Sequence, residues 1–520
     1  LKKKYYVFIA VLFIFTLLYL PLSILYAQEA NSTSNFSKEI TTLEQLEKMR
    51  VGVFGVSANK EIIEKKNPKI TNFFFSNSIS DAVAALKTNK IDCFAADVPV
   101  LQLYANRNPD LKVAPLKIET FNYGVALKKN SPLTEKISKV VKKFKEDGTL
   151  EKLKDLWQGK DESKKTIASI PKQDWEGKNG ILKAYFTGDI EPFAYIGNNQ
   201  TLIGLDIHLV YLIAKELDMK VEQTVAQFDS LIPALQSGKA DVVSSSLTIT
   251  NERQQSVDMI PYYESYVGVL VRNEGYNNKI SFWQGLKNSF YKTFIHENRW
   301  LLIAKGLGLT ILISICSGIL GFLLGFVLII LKRLNNKYLS ALINFSIEII
   351  NGIPPVVLLM ILFYVIFASI DISPLLVSIL AFTLTFGATC YVLIGNGIQA
   401  VNIGQEEAAR ALGFTEFQSF YMVVFPQAAR QFLPLMKGQF MEMVKMTSVV
   451  GYIACIDLTK ASDLIRSRTM EAFFPLIATA LLYYVIAKLM ILSLTKVEIS
   501  LDPKRRERKV EGVKEVIIED

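Results

Sequence analysis

The stretch from Ser246 to Arg253 combines residue types that can bind a carboxylate. It follows a β-like run at residues 241–245 and leads toward a predicted helix start. The hydroxyl of Thr248, free backbone groups and the guanidinium of Arg253 can therefore converge there. A guanidinium binds a carboxylate through two parallel hydrogen bonds, and backbone N–H groups at helix starts favour anions. These residues suit an anionic ligand group.

A second candidate for chemistry is the pair Glu442 and Lys445, which lies in an apolar stretch. The two residues are three apart, so their side chains can meet on one helical face. Ionisable groups are costly inside a membrane helix and often mark a transport path. A role near such a path is the first hypothesis, and a structural ion pair is the alternative.

A short docking helix is predicted between two apolar stretches, starting at Gln405. It has acidic residues in its first turn, is rich in Ala and stops near Gly413, and Pro426 then precedes the next apolar run. Such an element suits contact with another protein.

Several kinds of enzyme are excluded by the sequence. No Gly-x-x-x-x-Gly-Lys-[Ser/Thr] loop occurs, so any nucleotide must be hydrolysed by a separate subunit. The only histidines are His208 and His296, which supports neither a zinc protease helix nor a histidine-based triad. We expect no catalytic residue, no metal and no cofactor.

The elements that carry these residues divide into a soluble part and a membrane part. Residues 37–278 have the mixed composition of a soluble α/β domain, whereas the chain after residue 300 holds long apolar runs. A spanning helix needs roughly 20 apolar residues. Five spans are predicted, starting near Leu301, Ala341, Pro374, Phe432 and Phe473.

The charges beside these runs indicate the orientation. Basic clusters follow the first span at Lys332 and the last span at Lys504, which places both on the cytoplasmic side. Three cations do not fit this orientation, because they would lie outside the cytoplasm: Lys460, Arg466 and Arg468. We interpret the net charge of +9 as solvated faces and membrane-flanking charge rather than nucleic-acid binding.

The N-terminal segment predicts export of the soluble part. Lysines at positions 2–4 precede an apolar run over residues 5–26, so residues 1–28 are either a signal peptide or a retained anchor. Either alternative places the following domain outside the cytoplasm.

The membrane part resembles the permease subunits of ABC importers for polar amino acids. The E-A-A-x-x-x-G pattern of their coupling loop is matched by Glu407, Ala408, Ala409 and Gly413. Their Lys-x-Thr-Ser pattern is matched by Lys445, Thr447 and Ser448. The resemblance implies a separate ABC ATPase docked at the loop, a homodimer of the permease, and a translocation path near Glu442, Lys445 and Thr447.

The soluble part resembles amino acid binding proteins of the periplasmic type. Lobe 1 is matched by Glu191-Pro192-Phe193, Gly204-Leu205-Asp206, Phe228 and Thr248-Ile249-Thr250 with Arg253. By this resemblance, Arg253 clamps the ligand carboxylate, Thr248 and the Ser246 backbone bind its polar head, and Phe228 packs on its side chain. Phe193 either lines the pocket or packs in the core. Asp206 is predicted to cap a helix.

Residues 42–157 resemble lobe 2 and the closing helices of the same proteins. The matches include Arg50-Val51-Gly52-Val53 and the run from Ile91 to Asp97. The resemblance implies that Asp97 faces the ligand ammonium group and that Ser57, at a helix start, binds the carboxylate. Phe54 stands where the family often has a polar ligand contact.

The order of the two lobes is reversed relative to the family, and one circularly permuted domain explains this better than two truncated ones. The predicted fold is an α/β two-lobed periplasmic-binding-protein-like domain (type II, permuted lobe order), followed by an all-α transmembrane bundle of five spans. The predicted boundaries are 1–28 for the signal or anchor, 38–159 for lobe 2 and closing helices, 160–180 for a linker, 181–273 for lobe 1, 274–300 for a connector, 301–500 for the permease and 501–520 for a basic tail.

The function predicted from these patterns is import of a polar amino acid, driven by a separate ATPase. A ligand-gated channel or a sensory receptor is the alternative, because both can use the same two-lobed binding domain. A channel needs a pore loop and a receptor needs an output domain, and neither has a use for the loop from Glu407 to Gly413.

Overall fold

The computed structural model describes residues 39–501, except residues 56, 77, 160, 198–199, 274, 276–281, 335 and 472. The predicted signal or anchor and nearly all of the basic tail lie outside the described residues. The chain forms two compact units. Among the described residues, unit 1 comprises 39–121 and the stretch that starts at Glu264, and unit 2 comprises Asn122–Tyr263 and everything from residue 282 onward.

The strands, in chain order, are β1 Val51–Phe54, β2 Phe73–Ser76, β3 Cys93–Asp97, β4 Leu111–Val113, β5 Thr120–Lys128, β6 Ile181–Phe186, β7 Asp189–Ile190, β8 Ala194–Ile196, β9 Leu202–Ile203, β10 Lys220–Val225, β11 Val242–Val243 and β12 Val257–Arg272. The helices are α1 Asn59–Lys66, α2 Ile79–Lys87, α3 Val98–Arg107, α4 Thr134–Glu146, α5 Thr149–Gln158, α6 Leu205–Glu216, α7 Leu231–Gln236, α8 Asn251–Ser256, α9 Phe282–Phe290, α10 Trp300–Lys332, α11 Lys337–Gly352, α12 Pro355–Ile361, α13 Pro374–Gln399, α14 Ile403–Ala411, α15 Glu416–Ser419, α16 Phe425–Met446, α17 Leu458–Thr469 and α18 Phe473–Leu501.

Unit 1 is an α/β sandwich around three parallel strands. Strand β1 pairs in parallel with both β2 and β3, and the part of β12 within this unit pairs antiparallel with β3 and β4. Strand β3 is almost wholly buried, which is typical of a parallel strand covered by helices on its faces. The parallel strands place their carboxyl ends at one edge of the unit.

Residues 122–263 of unit 2 form a second α/β layer, called lobe 1 from here on. Strand β6 pairs in parallel with β10 and β11, and β11 pairs antiparallel with β5. Helix α6 is buried along most of its length and begins after Gly204, whose φ is 136°. A Cβ at Gly204 would lie 2.1 Å from the Phe193 carbonyl oxygen, so the chain needs glycine there.

The closing helices and the predicted linker both belong to lobe 1. Helix α4 buries Ile137, Val140, Val141 and Phe144, the spacing of one apolar helical face. In α5, the Trp157 indole donates to His208 Nδ1 of α6 at 3.3 Å. The linker is held along lobe 1, because Trp175 donates to the Met219 carbonyl at 2.7 Å. The unit boundaries therefore differ from the predicted ones: residues 122–159 lie with lobe 1, and the end of β12 lies in unit 1.

The membrane part of unit 2 is a bundle of helices packed around α13. Helices α10 and α13 approach closely at small residues: a Cβ at Gly325 would lie 2.6 Å from the Cys390 Cβ. Gly325 therefore serves the close packing of these two helices. The predicted connector after β12 contains helix α9, which precedes α10.

In the described part of the chain, three helices are long and apolar enough to cross a membrane, and a fourth crossing results if α11 and the helical stretch Pro355–Ile366 form one span. That pair is bent by 109° at Pro354 and Pro355. Helix α16, which covers the predicted span near Phe432, is 22 residues long but carries several charges, including Lys437 and Glu442. The chain is a membrane protein, and the predicted count of five spans is one more than these criteria give.

Candidate functional site

Three of the predicted ligand residues meet in lobe 1. Arg253, in the first turn of α8, donates from Nη1 to the Thr248 carbonyl at 2.9 Å. Its guanidinium also lies over the Phe228 ring, 5.7 Å from the ring centroid. Thr250 caps α8 by accepting from the Arg253 backbone N–H at 3.2 Å. A planar cation is thus held on an aromatic face beside a threonine.

The sequence places this cluster at one edge of the lobe 1 sheet. Thr248 follows β11, Phe228 follows β10, and Thr187 follows β6, and these three strands are parallel. The Thr187 backbone N–H donates to the Ser245 hydroxyl at 2.9 Å and ties two of the strand ends together. The carboxyl edge of a parallel sheet is where α/β folds bind ligands.

Ser246 has a different role from the predicted one, because its backbone N–H is already used. That N–H donates to Asp206 Oδ2 at 2.7 Å, and Ser246 has a φ of 47°, in the left-handed region. Asp206 also accepts from the Tyr262 hydroxyl at 2.5 Å. The prediction that Asp206 caps a helix is wrong: Gly204 occupies the cap position, and the buried Asp206 carboxylate instead fixes the loop that leads to Thr248.

Burial shifts the pKa values of two neighbouring groups of α6 in opposite directions. It raises the pKa of Asp206 to about 6, against the lowering effect of the hydrogen bonds from Tyr262 and Ser246. It lowers the pKa of His208 to about 4. Both shifts favour the uncharged form, as expected for groups removed from water.

Of the two roles predicted for Phe193, the structure shows packing in the core. Its ring is fully buried and packs edge-on against Tyr123 at 5.1 Å and Tyr263 at 5.3 Å between ring centroids. Hydrophobic pattern alone could not separate a pocket wall from a core residue. We infer that it supports the site from behind.

The predicted ligand residues of unit 1 lie at or near the carboxyl ends of two adjacent parallel strands. Phe54 ends β1, Asp97 ends β3, and these strands pair in register. Ser57 lies two residues before α1, so the predicted helix start is confirmed within two residues. Its hydroxyl and its N–H both donate to the Phe54 carbonyl, at 2.7 and 3.0 Å. The N–H predicted to bind a carboxylate is therefore used in a turn.

The predicted docking helix is present as α14. Asn402 caps its start by accepting from the Gly404 N–H at 2.9 Å, and Gly413 follows its end with a φ of 90°. Ala409 is buried, whereas Glu407 and Ala408 are exposed. The exposed surface also includes two large apolar side chains, Ile403 at 75% and Leu412 at 80% exposure. Exposed apolar residues grouped on one element mark a contact surface.

A single arginine joins α14 to the end of α10. Arg333 pairs with Glu406 at 2.8 Å and lies over the Phe420 ring at 4.4 Å. A movement of α14 would therefore act directly on α10.

The predicted translocation residues separate into two kinds. Glu442 and Lys445 form an ion pair at 2.6 Å, and both side chains are half exposed on α16. Thr447 is fully buried, and its hydroxyl donates to the Val444 carbonyl at 2.8 Å. Thr447 thus closes the end of its own helix, and only the ion pair faces outward.

Four acidic and basic residues that sequence reasoning did not join form contacts between lobe 1 and α17. Lys460 lies 3.3 Å from Asp189, and Arg468 pairs with Glu191. The signal in the sequence was the presence of cations on the side where the positive-inside rule does not expect them. Their partners could not be read from the sequence, because they lie more than 200 residues away.

Comparisons with known proteins show which families this chain is similar to. The description "Bacterial extracellular solute-binding proteins, family 3" matches residues 182–447, just over half of the chain. A protein named as a glutamine transport system permease in Rickettsia typhi is 29% identical over 191 residues, which are 36% of this chain and 88% of that protein. A protein named as a glutamine ABC transporter permease in Bacillus subtilis is 33% identical over 34% of this chain and 82% of its own.

Among solved structures, an amino acid ABC transporter with histidines is 29% identical and covers 44% of this chain and all of that chain, with a TM-score of 0.36. The fold and the sequence relatives together define a membrane transport protein that carries its own solute-binding domain. The chain belongs to the bacterial extracellular solute-binding proteins of family 3, fused to a permease of the ABC transporter family.

Proposed function

We propose that the chain captures a polar amino acid outside the bacterial inner membrane and passes it inward through its own permease, driven by a separate ATPase. The observation that carries this proposal is the cluster of Arg253, Thr248 and Phe228 at the carboxyl edge of the lobe 1 sheet. A guanidinium on an aromatic ring suits a ligand with a carboxylate and a side chain. The relatives named as glutamine and cystine permeases support an amino acid as that ligand.

Unit 1 supplies the complementary charge in this proposal. Asp97, at the end of β3, faces the ligand ammonium group, because an acidic partner compensates a buried positive charge. Ser57 and Phe54, at the end of β1, complete that side. The ligand-bound form of the binding domain is the one that the permease accepts.

The permuted lobe order is part of the proposal. Support comes from the chain path: unit 1 begins the described chain, the path enters unit 2 within β5, and it returns to unit 1 within β12. The stretch between the closing helices and β6 runs along lobe 1, as a bridge between two former termini would.

Helix α14 is proposed as the contact with the ATPase on the cytoplasmic side, with five spans between the two faces of the membrane and the C-terminus inside. Its exposed Ile403 and Leu412 favour this role. We also propose a homodimer of the permease. The half-exposed Glu442–Lys445 pair lies on a helix that would otherwise present two charges to lipid, and a second copy or a water-filled path between copies would cover them.

The ligand site is tested by replacing Arg253 in the full chain, purified in detergent. Wild type should show a rise in melting temperature with at least one of the twenty amino acids, because a ligand that binds only the folded state stabilises it. Arg253→Ala should lower the affinity for that amino acid by about a hundredfold, since a charge-assisted fork is lost.

Arg253→Lys is the matched variant, because it keeps the charge and removes the planar fork. Its affinity should fall between those of the other two proteins. If Arg253→Ala binds as tightly as wild type, Arg253 does not hold the ligand. Co-purification of the chain with an ATPase separates the importer from a ligand-gated channel or a sensory receptor.

A further inference from the structure

We propose that lobe 1 remains bound to the permease throughout transport, held by a charged interface with α17, so that the ligand is delivered without release of this lobe. The inference rests on the proposed import function but adds a feature to it. Binding domains that arrive from solution must dock and leave, whereas the contacts described below are of the kind that persist.

The first contact is centred on Lys460, whose side chain is only 3% exposed. Its Nζ lies 3.3 Å from Asp189 Oδ2 and 3.3 Å from Gln227 Oε1, and both partners belong to lobe 1. A lysine is rarely buried unless it is paired. Lobe 1 therefore supplies the groups that allow Lys460 to be buried.

The second contact is centred on Arg468, two helical turns further along α17. It pairs with Glu191 of lobe 1 and with Glu297 at 3.2 Å, and its guanidinium lies 5.0 Å from the centre of the Tyr195 ring. Burial opposes the charge on Arg468, but the two carboxylates hold the pKa of its guanidinium above the usual range. The cation is thus surrounded by groups from lobe 1 and from the segment before α10.

Apolar packing joins the same two parts. The lobe 1 core that includes Leu231 and Leu247 extends to Tyr364 and Ala454 of the membrane part. A third contact lies at the loop after the bent helix pair, where Lys183 pairs with Asp371 at 2.9 Å. Three separate permease segments hold one lobe, and the interface combines an apolar core with paired charges, as stable interfaces do.

This interface begins one residue from the ligand site. Gln227, which contacts Lys460, is followed directly by Phe228, which carries the Arg253 guanidinium. A Cβ at Gly451 would lie 3.0 Å from Gln227 Nε2, so the chain that leads from α16 to α17 also touches this residue. Ligand binding at this site can therefore alter contacts with the permease directly, without a docking step.

A disulfide across the interface tests the proposal in the full chain in native membranes. A Cβ at Gly188 of lobe 1 would lie 2.7 Å from Leu464 Cδ2 of α17, so Gly188→Cys with Leu464→Cys places two thiols close enough to bridge. The single variants are the controls. The fraction of bridged chain is measured by thiol labelling, with and without an equimolar mixture of the twenty amino acids.

The proposal expects nearly complete bridging at the same rate with and without the mixture. It also expects ATP-dependent uptake of a radiolabelled amino acid mixture, measured with the cognate ATPase present, to be unchanged by the bridge. Absent bridging, bridging that changes more than about twofold with amino acids, or uptake lost on oxidation and restored by reductant would overturn it. Absence of uptake in every variant, wild type included, would contradict the import function while the bridging result still tests the interface.

Charge reversal gives an independent measurement. Asp189→Lys sets two cations against each other beside Lys460 and should slow bridging by about tenfold. Asp174→Lys makes the same charge change on an exposed part of lobe 1 and should leave the rate unchanged. Equal rates in the two variants would show that the charges do not hold the lobe.

Discussion

The two contact surfaces of unit 2 differ in what covers them. At α17, the charges are buried and already paired with lobe 1 of the same chain. At α14, large apolar side chains stand exposed, while Glu406 pairs with Arg333 and Arg410 pairs with Glu416. The first surface is complete within one polypeptide, whereas the second has the features of a surface that another protein covers. This difference supports both proposals made above: a permanent contact with the binding domain at α17, and an exchangeable contact with the ATPase at α14.

The largest expected effect comes from the exposed surface. Leu412→Asp should reduce capture of the ATPase by more than about tenfold, because a desolvated charge would replace an apolar contact. Folding and amino acid binding should be retained, since the side chain is exposed in the chain alone. Ile167→Asp, an exposed position in the segment before β6, is the control. Equal ATPase capture by both variants in a pull-down would contradict the proposed role of α14.

A substitution at the buried α17 surface should lower the stability of α17 and leave ATPase capture unchanged. Arg468→Ala leaves Glu191 without its cation and should weaken the local stability of α17 by about 3 kcal/mol. Hydrogen exchange of the α17 amides measures this, while ATPase capture should not change. Lys215→Ala removes a cation elsewhere on lobe 1 and is expected to leave α17 exchange as in wild type. If both variants behave alike, the ion pairs do not stabilise α17.

The stability of lobe 1 should depend on pH through His208. Its pKa of about 4 lies below the usual 6.5, so the unfolded state takes up the proton first. Stability from this group is complete above pH 6.5 and is lost as the pH falls toward 4. Relative to His208→Gln, wild type should lose about 2.5 kcal/mol of local stability near pH 4.5.

Exchange of the α6 amides in the two proteins, compared in the same buffers, measures this loss. The raised pKa of Asp206 acts in the opposite direction, since protonation below pH 6 favours the folded form, but it is common to both proteins and cancels in the difference. A difference that does not vary between pH 7 and 4.5 would mean that His208 is not held uncharged.

The smallest effect is expected at the joint between α14 and α10. Arg333→Ala removes a partly exposed ion pair and a contact with the buried Phe420 ring, worth about 1 kcal/mol together. ATPase capture should remain, and ATP-dependent uptake should fall several-fold because the movement of α14 reaches α10 less directly. Lys332→Ala, the neighbouring cation, is the control, and the same loss in it would show that Arg333 has no special role.

Local sequence patterns were sufficient to predict features that depend on residues close together in the chain. The helix predicted from Gln405 to Gly413 is confirmed as α14, because its cap, its alanines and its terminal glycine act within one segment. The cluster of Arg253, Thr248 and Phe228 was also identified, since its members follow successive strand ends.

Roles that depend on distant partners could not be predicted. The use of the Ser246 N–H by Asp206 and the burial of Phe193 among tyrosines are set by tertiary packing. The pairing of Lys460 and Arg468 joins segments that the fold brings together from far apart in the chain. The boundaries of the two units differ from the predicted ones for the same reason, because strands β5 and β12 each serve both units.

The helix α9, which leads from the binding domain into α10, fixes the ratio of receptor to pump. A binding protein that diffuses freely must be made in excess to keep the pump supplied, and several kinds can compete for one pump. Here each permease carries one receptor at a constant and high local concentration, whatever the level of expression. Scarcity of either part therefore cannot limit the other.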